Sequence, residues 1–124
     1  MLKVLIADDE EKICQLIIKL INWEEMELKI AATASNGIEA LEQAKICKPE
    51  ILITDIRMPG IDGMELIRKV KEKLPDTEII IISGYRHFEY AQTAIRYGVR
   101  NYLLKPIKKE ELRDTLQKIA DIYR

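Results

Sequence analysis

Carboxylate, hydroxyl and ammonium groups follow four apolar runs of the chain, and together they could do chemistry. They are Asp8 and Asp9 after LKVLIA, Asp55 after ILIT, Ser83 after EIIII, and Lys105 after RNYLL. Crowded carboxylates repel one another, which raises at least one pKa unless a cation binds. Hard oxygen ligands suit Mg²⁺, while an ammonium and a hydroxyl could hold the oxygens of a phosphoryl group. These residue types indicate phosphoryl transfer to a carboxylate, with Asp55 as the nucleophile.

Strands and helices alternate along the sequence, and this alternation decides where those polar groups meet. The apolar runs predict strands at 2–7, 28–34, 51–54, 78–82 and 100–104. Helical spacing predicts helices at 10–22, after Asn36, after Asp62, at 86–97 and at 108–123. Such alternation is typical of a parallel sheet covered by helices on both faces. The C-terminal ends of parallel strands lie along one edge, so the polar residues are expected there.

Capping and turn residues mark several of the helix ends. Asn36 with Glu39, and Asp62 with Glu65, have the spacing of a capping box. Gly98 stands where a left-handed C-terminal cap belongs. The apolar faces that we expect to be buried include Leu16, Ile38, Ile95 and Ile122.

Length and composition indicate one globular domain over residues 1–124, with 48% hydrophobic and 33% charged residues. The net charge of −1 gives no overall basic signal for nucleic acid or membrane. Cys14 and Cys47 match no metal spacing and are expected to be reduced, in or near the core. The chain opens on a strand pattern, and no apolar run approaches the roughly 20 residues of a membrane span. We therefore expect a cytoplasmic protein.

This set of residues resembles the receiver domain of two-component response regulators, over essentially the whole chain. The resemblance implies a doubly wound, flavodoxin-like (CheY-like) α/β fold with a five-stranded parallel sheet in the order 2-1-3-4-5. It implies that Asp55 is the phosphoacceptor, that Ser83 is the switch hydroxyl and that Lys105 binds the phosphoryl group. It also implies a Mg²⁺ site, whose ligands would be Asp8, Asp9, Asp55 and the backbone carbonyl of Arg57.

Further positions match the receiver pattern around this set. Tyr102 matches the aromatic switch residue, although simple core filling is an alternative for a tyrosine there. Pro106 matches a proline whose preceding bond is typically cis in the family. Pro59 and Gly63 belong to the turn that follows the phosphoacceptor.

The segments MPGIDG, SGYRHFEYAQTAIRYGV and NYLLKPI resemble the YesN-type subgroup of these regulators. That subgroup usually carries an AraC-type helix-turn-helix region after the receiver, and these 124 residues show no such pattern. The resemblance implies a switch that a sensor histidine kinase phosphorylates and that regulates an attached or partner output. DNA would then be bound only through a separate domain. The YesN-like segments therefore favour a receiver domain taken from a longer regulator. A stand-alone receiver that acts through protein contacts is the alternative.

The same resemblance implies a phosphoacceptor that assists its own Mg²⁺-dependent phosphorylation and dephosphorylation, and that is not an enzyme in the usual sense. We expect a homodimer, favoured by phosphorylation, through the fourth helix, fifth strand and fifth helix, because the switch would change that surface. Tyr90 and Tyr97 lie on the fourth helix, where partial burial in the core is the alternative to an interface. Arg57 and Tyr85 flank the site at positions that tune phosphoryl lifetime, and His87 is expected to be a solvated residue.

Other classes of protein fit the sequence less well. A phosphatase that forms an aspartyl phosphate usually needs an acid two residues beyond its nucleophile, where this chain has Arg57. A nucleotide or flavin binder needs a glycine- or hydroxyl-rich loop after the first strand, where this chain has four acidic residues. A degenerate receiver, acting as a constitutive binding module, is disfavoured by the complete set of acids, hydroxyl and lysine.

Overall fold

The computed structural model describes residues 1–84, 88–99 and 101–123, and for residues 88–91 the backbone alone. Five strands alternate with five helices in this part of the chain. The strands are β1 (Leu2–Ala7), β2 (Leu28–Ala34), β3 (Ile51–Thr54), β4 (Glu78–Ser83) and β5 (Asn101–Leu104). The helices are α1 (Glu11–Leu20), α2 (Gly37–Cys47), α3 (Gly63–Lys73), α4 (Phe88–Arg96) and α5 (Lys109–Ile122). The predicted alternation is confirmed.

The strands form one parallel sheet in the order β2-β1-β3-β4-β5. Every residue of β3 and β4 is buried, because these central strands carry unbroken apolar runs that are covered on both faces. The mixed pattern of β2 places it at one edge of the sheet, where burial is less complete. This is the doubly wound, flavodoxin-like arrangement that was expected.

Two apolar clusters pack on opposite faces of the sheet. Val4 and Ile6 of β1 belong to the first cluster, and Leu5 and Ala7 belong to the second. The first cluster is completed by buried residues of α1 and α5, and the second by buried residues of α2, α3 and α4. Because successive strand side chains point to opposite faces, one strand holds helices on both sides of the sheet.

Side-chain caps begin α2 and α3 as the spacing predicts. Asn36 accepts a hydrogen bond from the Glu39 N–H at 2.8 Å, and Asp62 accepts one from the Glu65 N–H at 2.9 Å. Each cap satisfies a backbone donor that the helix itself cannot pair. Gly98 follows α4 with φ at +80°, the left-handed conformation expected of it.

The structure corrects the predicted buried face of α2. Ile38 is 54% exposed, whereas Gly37, Ala40 and Ala44 are buried. Small residues allow the helix to approach the sheet and α3 closely, so the larger isoleucine lies on the outer surface.

Three more residues assigned to apolar faces are exposed. They are Leu16, Ile95 and Ile122. Leu16 and Ile95 each adjoin a buried neighbour in sequence, and adjacent helical residues point about 100° apart, outside the contact stripe. Ile122 is the last residue of α5.

Cys14 is buried and Cys47 is half-buried, and both thiols are free, as expected. The described helices α1, α4 and α5 are each a residue or more shorter than predicted. The predictions for Tyr85, His87 and Arg100 lie outside the described residues, as do those that concern the side chains of 88–91.

Candidate functional site

The polar residues predicted to meet do lie along the carboxyl edge of the sheet. Asp55 continues β3 by donating its N–H to the Ala7 carbonyl at 3.1 Å, which places it beside Asp8 at the end of β1. Lys105 continues β5 by donating its N–H to the Ser83 carbonyl at 2.9 Å. The sheet ladder therefore fixes the main chain of the site.

The Lys105 ammonium links the two buried carboxylates of the site. It donates to Asp55 Oδ2 at 2.9 Å and to Asp8 Oδ2 at 3.2 Å. Asp8 and Asp55 are only 3% and 6% exposed. Buried carboxylates need a compensating charge, and here strands separated by many residues in sequence deliver it.

Burial raises the pKa of Asp8, against the opposing effects of a hydrogen bond from the Glu10 N–H and of the Lys105 charge. Burial by itself would lower the pKa of Lys105, but its hydrogen bond and charge contact with Asp55, followed by those with Asp8, outweigh burial and raise it. The ammonium is therefore firmly protonated where it joins the two acids.

Neighbouring groups bind both the side-chain carboxylate and the backbone carbonyl of Asp55. The Ile56 N–H donates to Asp55 Oδ1 at 2.6 Å, and the Thr54 hydroxyl donates to the Asp55 carbonyl oxygen at 2.9 Å. The start of α3 packs against this turn so closely that a Cβ on Gly63 would overlap the Asp55 carbonyl oxygen. Glycine at this position lets α3 begin directly against the Asp55 backbone. Pro59 is exposed in the same turn, and its carbonyl accepts from the Gly37 N–H at 3.3 Å.

An open cavity of about 390 Å³ lies over the site. Its lining residues are Asp9, Glu10, Asp55, Arg57, Gly84 and Lys105. The cavity provides room for a small anion or cation next to Asp55.

The acidic loop after β1 fits a hard divalent cation. Asp8, Asp9 and Glu10 place one carboxylate oxygen each within 4.8 Å of one another. Carboxylate oxygens that also leave positions for water are the ligands that Mg²⁺ prefers. Glu10 was not assigned to the site from the sequence, and only its position directly after Asp9 could have indicated it.

Ser83 and Tyr102 lie on the same side of the sheet. Ser83 is fully buried at the end of β4, two residues after Ile81. Tyr102 pairs with Ile81 in the β4–β5 register, is half-buried and packs against the second apolar cluster, as Tyr97 does. Side chains two residues apart on a strand share a face, so the hydroxyl and the phenol ring face the same cluster.

The peptide bond between Lys105 and Pro106 is cis, as the resemblance implied. Arg57 is exposed beside the cavity. Tyr85, which was expected to flank the site with it, lies outside the described residues.

The strand order and the polar residues at the strand ends fit a receiver domain, and comparison with protein families agrees. Residues 4–117 match the response regulator receiver domain. The chain therefore belongs to the response regulator receiver domain family.

Two similar proteins are named as transcriptional regulatory proteins. The chain is 43% identical over 119 residues to the uncharacterized transcriptional regulatory protein YesN of Bacillus subtilis (strain 168), covering 96% of this chain and 32% of that protein. It is 38% identical over 120 residues to the transcriptional regulatory protein HptR of Staphylococcus aureus (strain N315), covering 97% and 47%. The chain thus spans less than half the length of these relatives.

Solved structures show the same fold at similar identity. The REC domain of AraT, a response regulator from Geobacillus stearothermophilus, superposes with a TM-score of 0.93 at 43% identity, covering 98% of this chain and 95% of that one. A two-component transcriptional regulator AraC from Clostridium phytofermentans superposes with a TM-score of 0.90 at 36% identity, covering 98% and 94%. No helix among the described residues has the length and apolar character needed to cross a membrane.

Proposed function

We propose that this chain is a phosphorylation-dependent switch that accepts a phosphoryl group on Asp55 from a sensor histidine kinase. The observation that carries the proposal is the Asp55 carboxylate, held 2.9 Å from the Lys105 ammonium and lining an open cavity. All 124 residues would form one receiver domain that works in the cytoplasm.

The proposed step transfers a phosphoryl group between two side chains. A carboxylate oxygen of Asp55 attacks phosphorus, the P–N bond to the kinase histidine breaks, and the imidazole leaves with a proton from solvent. Lys105 stabilises charge on the phosphoryl oxygens, and the fixed backbone of Asp55 keeps the attacking oxygen in place. Water later attacks the phosphorus of the acyl phosphate, the bond from phosphorus to the Asp55 oxygen breaks, and inorganic phosphate leaves. The domain would assist both reactions.

Asp8, Asp9, Asp55 and the backbone carbonyl of Arg57 would hold Mg²⁺ at this site. When bound, the cation would neutralise charge on the phosphoryl oxygens. The proposal is supported by the converging carboxylate oxygens of the acidic loop and by the burial of Asp8 and Asp55.

The signal would leave the site through Ser83 and Tyr102. The Ser83 hydroxyl would donate to the new phosphoryl oxygens, and Tyr102 would fill the space that this movement opens. Phosphorylation would thus bias an existing equilibrium between two conformations. The shared sheet face of the two residues supports this route.

The output would be transcription, through an AraC-type DNA-binding domain outside these residues. The transcriptional names of longer relatives support it, as does the likeness to a regulator described as AraC. A stand-alone receiver acting through protein contacts is the second candidate. The surface formed by α4, β5 and α5 would mediate a homodimer favoured by phosphorylation.

Acetyl phosphate with Mg²⁺ tests the phosphoacceptor. One base-labile phosphoryl group should appear in the intact mass, and Asp55→Asn should abolish it, since an amide cannot act as the nucleophile. The matched control is Asp76→Asn, which alters an exposed aspartate in a distant loop and should label normally. Undiminished labelling of Asp55→Asn would contradict the assignment.

Sedimentation with and without beryllofluoride, a phosphoryl mimic, tests the dimer. Beryllofluoride should promote association, and Ile95→Ser on α4 should weaken it, because Ile95 is 70% exposed on the proposed face. Ile46→Ser makes the same change at an isoleucine of α2 that is 75% exposed, and it should have no effect. Equal loss of association in both variants would argue against this surface.

A further inference from the structure

Glu10 presents a third carboxylate to Lys105. Its Oε1 lies 4.0 Å from the Lys105 ammonium, compared with 2.9 Å for Asp55 Oδ2 and 3.2 Å for Asp8 Oδ2. The side chains of Asp8 and Asp55 are buried, whereas that of Glu10 is 65% exposed. In this structure Lys105 rests among three acids.

The carboxylate of Glu10 is not used to hold the local backbone. Glu10 occupies the N-cap position of α1, but its side chain makes no capping hydrogen bond. Its main chain is held independently, because its N–H donates to Asp8 Oδ1 at 2.9 Å and its carbonyl accepts from the Ile13 N–H at 3.0 Å. Within the described ranges, the ion-pair partner of Glu10 is Lys105. Replacing the carboxylate by an amide therefore removes the contact with Lys105 without removing a hydrogen bond that holds the start of α1.

We propose that Glu10 is a positioning residue that restrains Lys105 and so lowers the affinity of the site for a phosphoryl group. The inference rests on the proposed function of Asp55 as the phosphoacceptor. To contact phosphoryl oxygens, the ammonium must leave the carboxylate oxygen of Asp55 that it now binds. Every remaining attraction toward its resting position opposes that movement.

Of the three acids, Glu10 is the one that is neither the proposed phosphoacceptor nor a proposed Mg²⁺ ligand. Asp55 becomes an acyl phosphate, and Asp8 would share its charge with a cation. Glu10 then competes with the phosphoryl oxygens for Lys105. It also lines the same cavity, so its charge repels an incoming anion. Both effects have the same sign, and both make the phosphorylated state less favourable.

The test is the affinity for beryllofluoride at saturating Mg²⁺, measured by a ¹⁹F NMR titration. Saturating metal removes any contribution of Glu10 to cation binding. Glu10→Gln should bind beryllofluoride about two- to fivefold more tightly, the range expected for an exposed ion pair. A variant that merely disturbs the structure would bind it more weakly.

Two comparisons decide whether the effect passes through Lys105. Glu11→Gln removes the same charge from the next residue, which is exposed, and should leave the affinity unchanged. In a Lys105→Ala background, Glu10→Gln should lose most of its effect. The proposal is overturned if Glu10→Gln binds beryllofluoride no more tightly than the unaltered protein. It is also overturned if Glu11→Gln gains as much affinity, or if Glu10→Gln keeps its full gain in affinity in the Lys105→Ala background.

A metal-free measurement separates this proposal from the assignment of Asp55. The Nζ and Cε signals of Lys105 should shift in Glu10→Gln and stay in place in Glu11→Gln, and unmoved signals would contradict the restraint. If the unaltered protein shows no saturable beryllofluoride binding, the phosphoacceptor assignment fails. The Lys105 signals still decide whether Glu10 holds the ammonium.

Discussion

Polar side chains are held differently at the two ends of the parallel strands. The carboxyl edge is the side of the sheet on which the strands end, and the amino edge is the side on which they begin. At the carboxyl edge, charged side chains bind one another, since the Lys105 ammonium joins Asp8 to Asp55. At the amino edge, side chains bind main-chain carbonyl oxygens. The Thr77 hydroxyl donates to Pro49 at 2.8 Å.

Other contacts of the amino edge follow the same pattern. The Lys71 ammonium donates to the Thr77 carbonyl at 2.7 Å, and the Tyr123 hydroxyl donates to the Asp76 carbonyl at 2.7 Å. A carbonyl acceptor keeps its partial charge whatever binds elsewhere, so these contacts tie the loops and the end of α5 to the sheet.

The difference shows which edge can respond to a signal. Ion pairs between side chains can exchange partners when a cation or an anion arrives, because each member still has a charge to satisfy. The neutral hydroxyls of Thr77 and Tyr123, which donate to backbone carbonyls, have no charge to satisfy and no such reason to exchange partners. We therefore expect the carboxyl edge to rearrange on ligand binding while the amino edge stays in place.

Among these variants, we expect the greatest loss of stability when a side chain is added to Gly63, which packs against the Asp55 backbone. Gly63→Ala places a Cβ where the Asp55 carbonyl oxygen lies, and α3 must move away from the turn. We expect a loss of about 2–3 kcal/mol in the free energy of unfolding, measured in urea. For Gly84→Ala, no described atom lies within 4 Å of the new Cβ, so its unfolding should change little. Equal losses would show that crowding beneath Asp55 is not the cause.

A smaller loss of stability should follow when a single lysine is replaced at either edge, in two separate variants. Lys105→Met leaves two buried carboxylates without the ammonium that neutralises them and should cost about 2 kcal/mol without Mg²⁺. Mg²⁺ should stabilise this variant more than the unaltered protein, because the cation replaces the missing charge. Lys71→Met, at the amino edge, should cost less and gain nothing extra from Mg²⁺. Urea unfolding with and without Mg²⁺ measures both, and equal metal rescue would remove the distinction between the edges.

The smallest effect is expected at the end of α5. Tyr123→Phe removes the hydrogen bond to the Asp76 carbonyl and should cost about 0.5–1 kcal/mol in thermal or urea unfolding. Affinity for beryllofluoride should not change, since the amino edge is not expected to take part in the switch. A change in that affinity would couple the two edges.

Local patterns were sufficient to predict most of the fold. Asn36 and Asp62 cap their helices because the cap and its N–H partner lie three residues apart in sequence. The apolar runs predicted all five strands, and the resemblance to receiver domains implied the order in which they pair. The outward orientation of Ile38 was not predicted, because it depends on how closely α2 approaches its neighbours.

The site was predictable as a set of residues but not as a set of contacts. The positions of Asp8, Asp55 and Lys105 follow from strand ends that share one edge. The approach of Glu10 to Lys105 joins residues at opposite ends of the chain, and no short-range pattern carries it. The contact of Tyr123 with the loop at Asp76 is likewise a product of tertiary packing.

We expect charged groups at the carboxyl edge to exchange partners on ligand binding, while the contacts of the amino edge stay fixed. The most direct measurement is a map of amide and side-chain NMR shifts as Mg²⁺ and then beryllofluoride are added. We expect large shifts at the site residues Asp8, Asp9, Asp55 and Lys105, and small shifts at Thr77 and Tyr123. Shifts that are absent from the carboxyl edge, or as large at the amino edge, would contradict it.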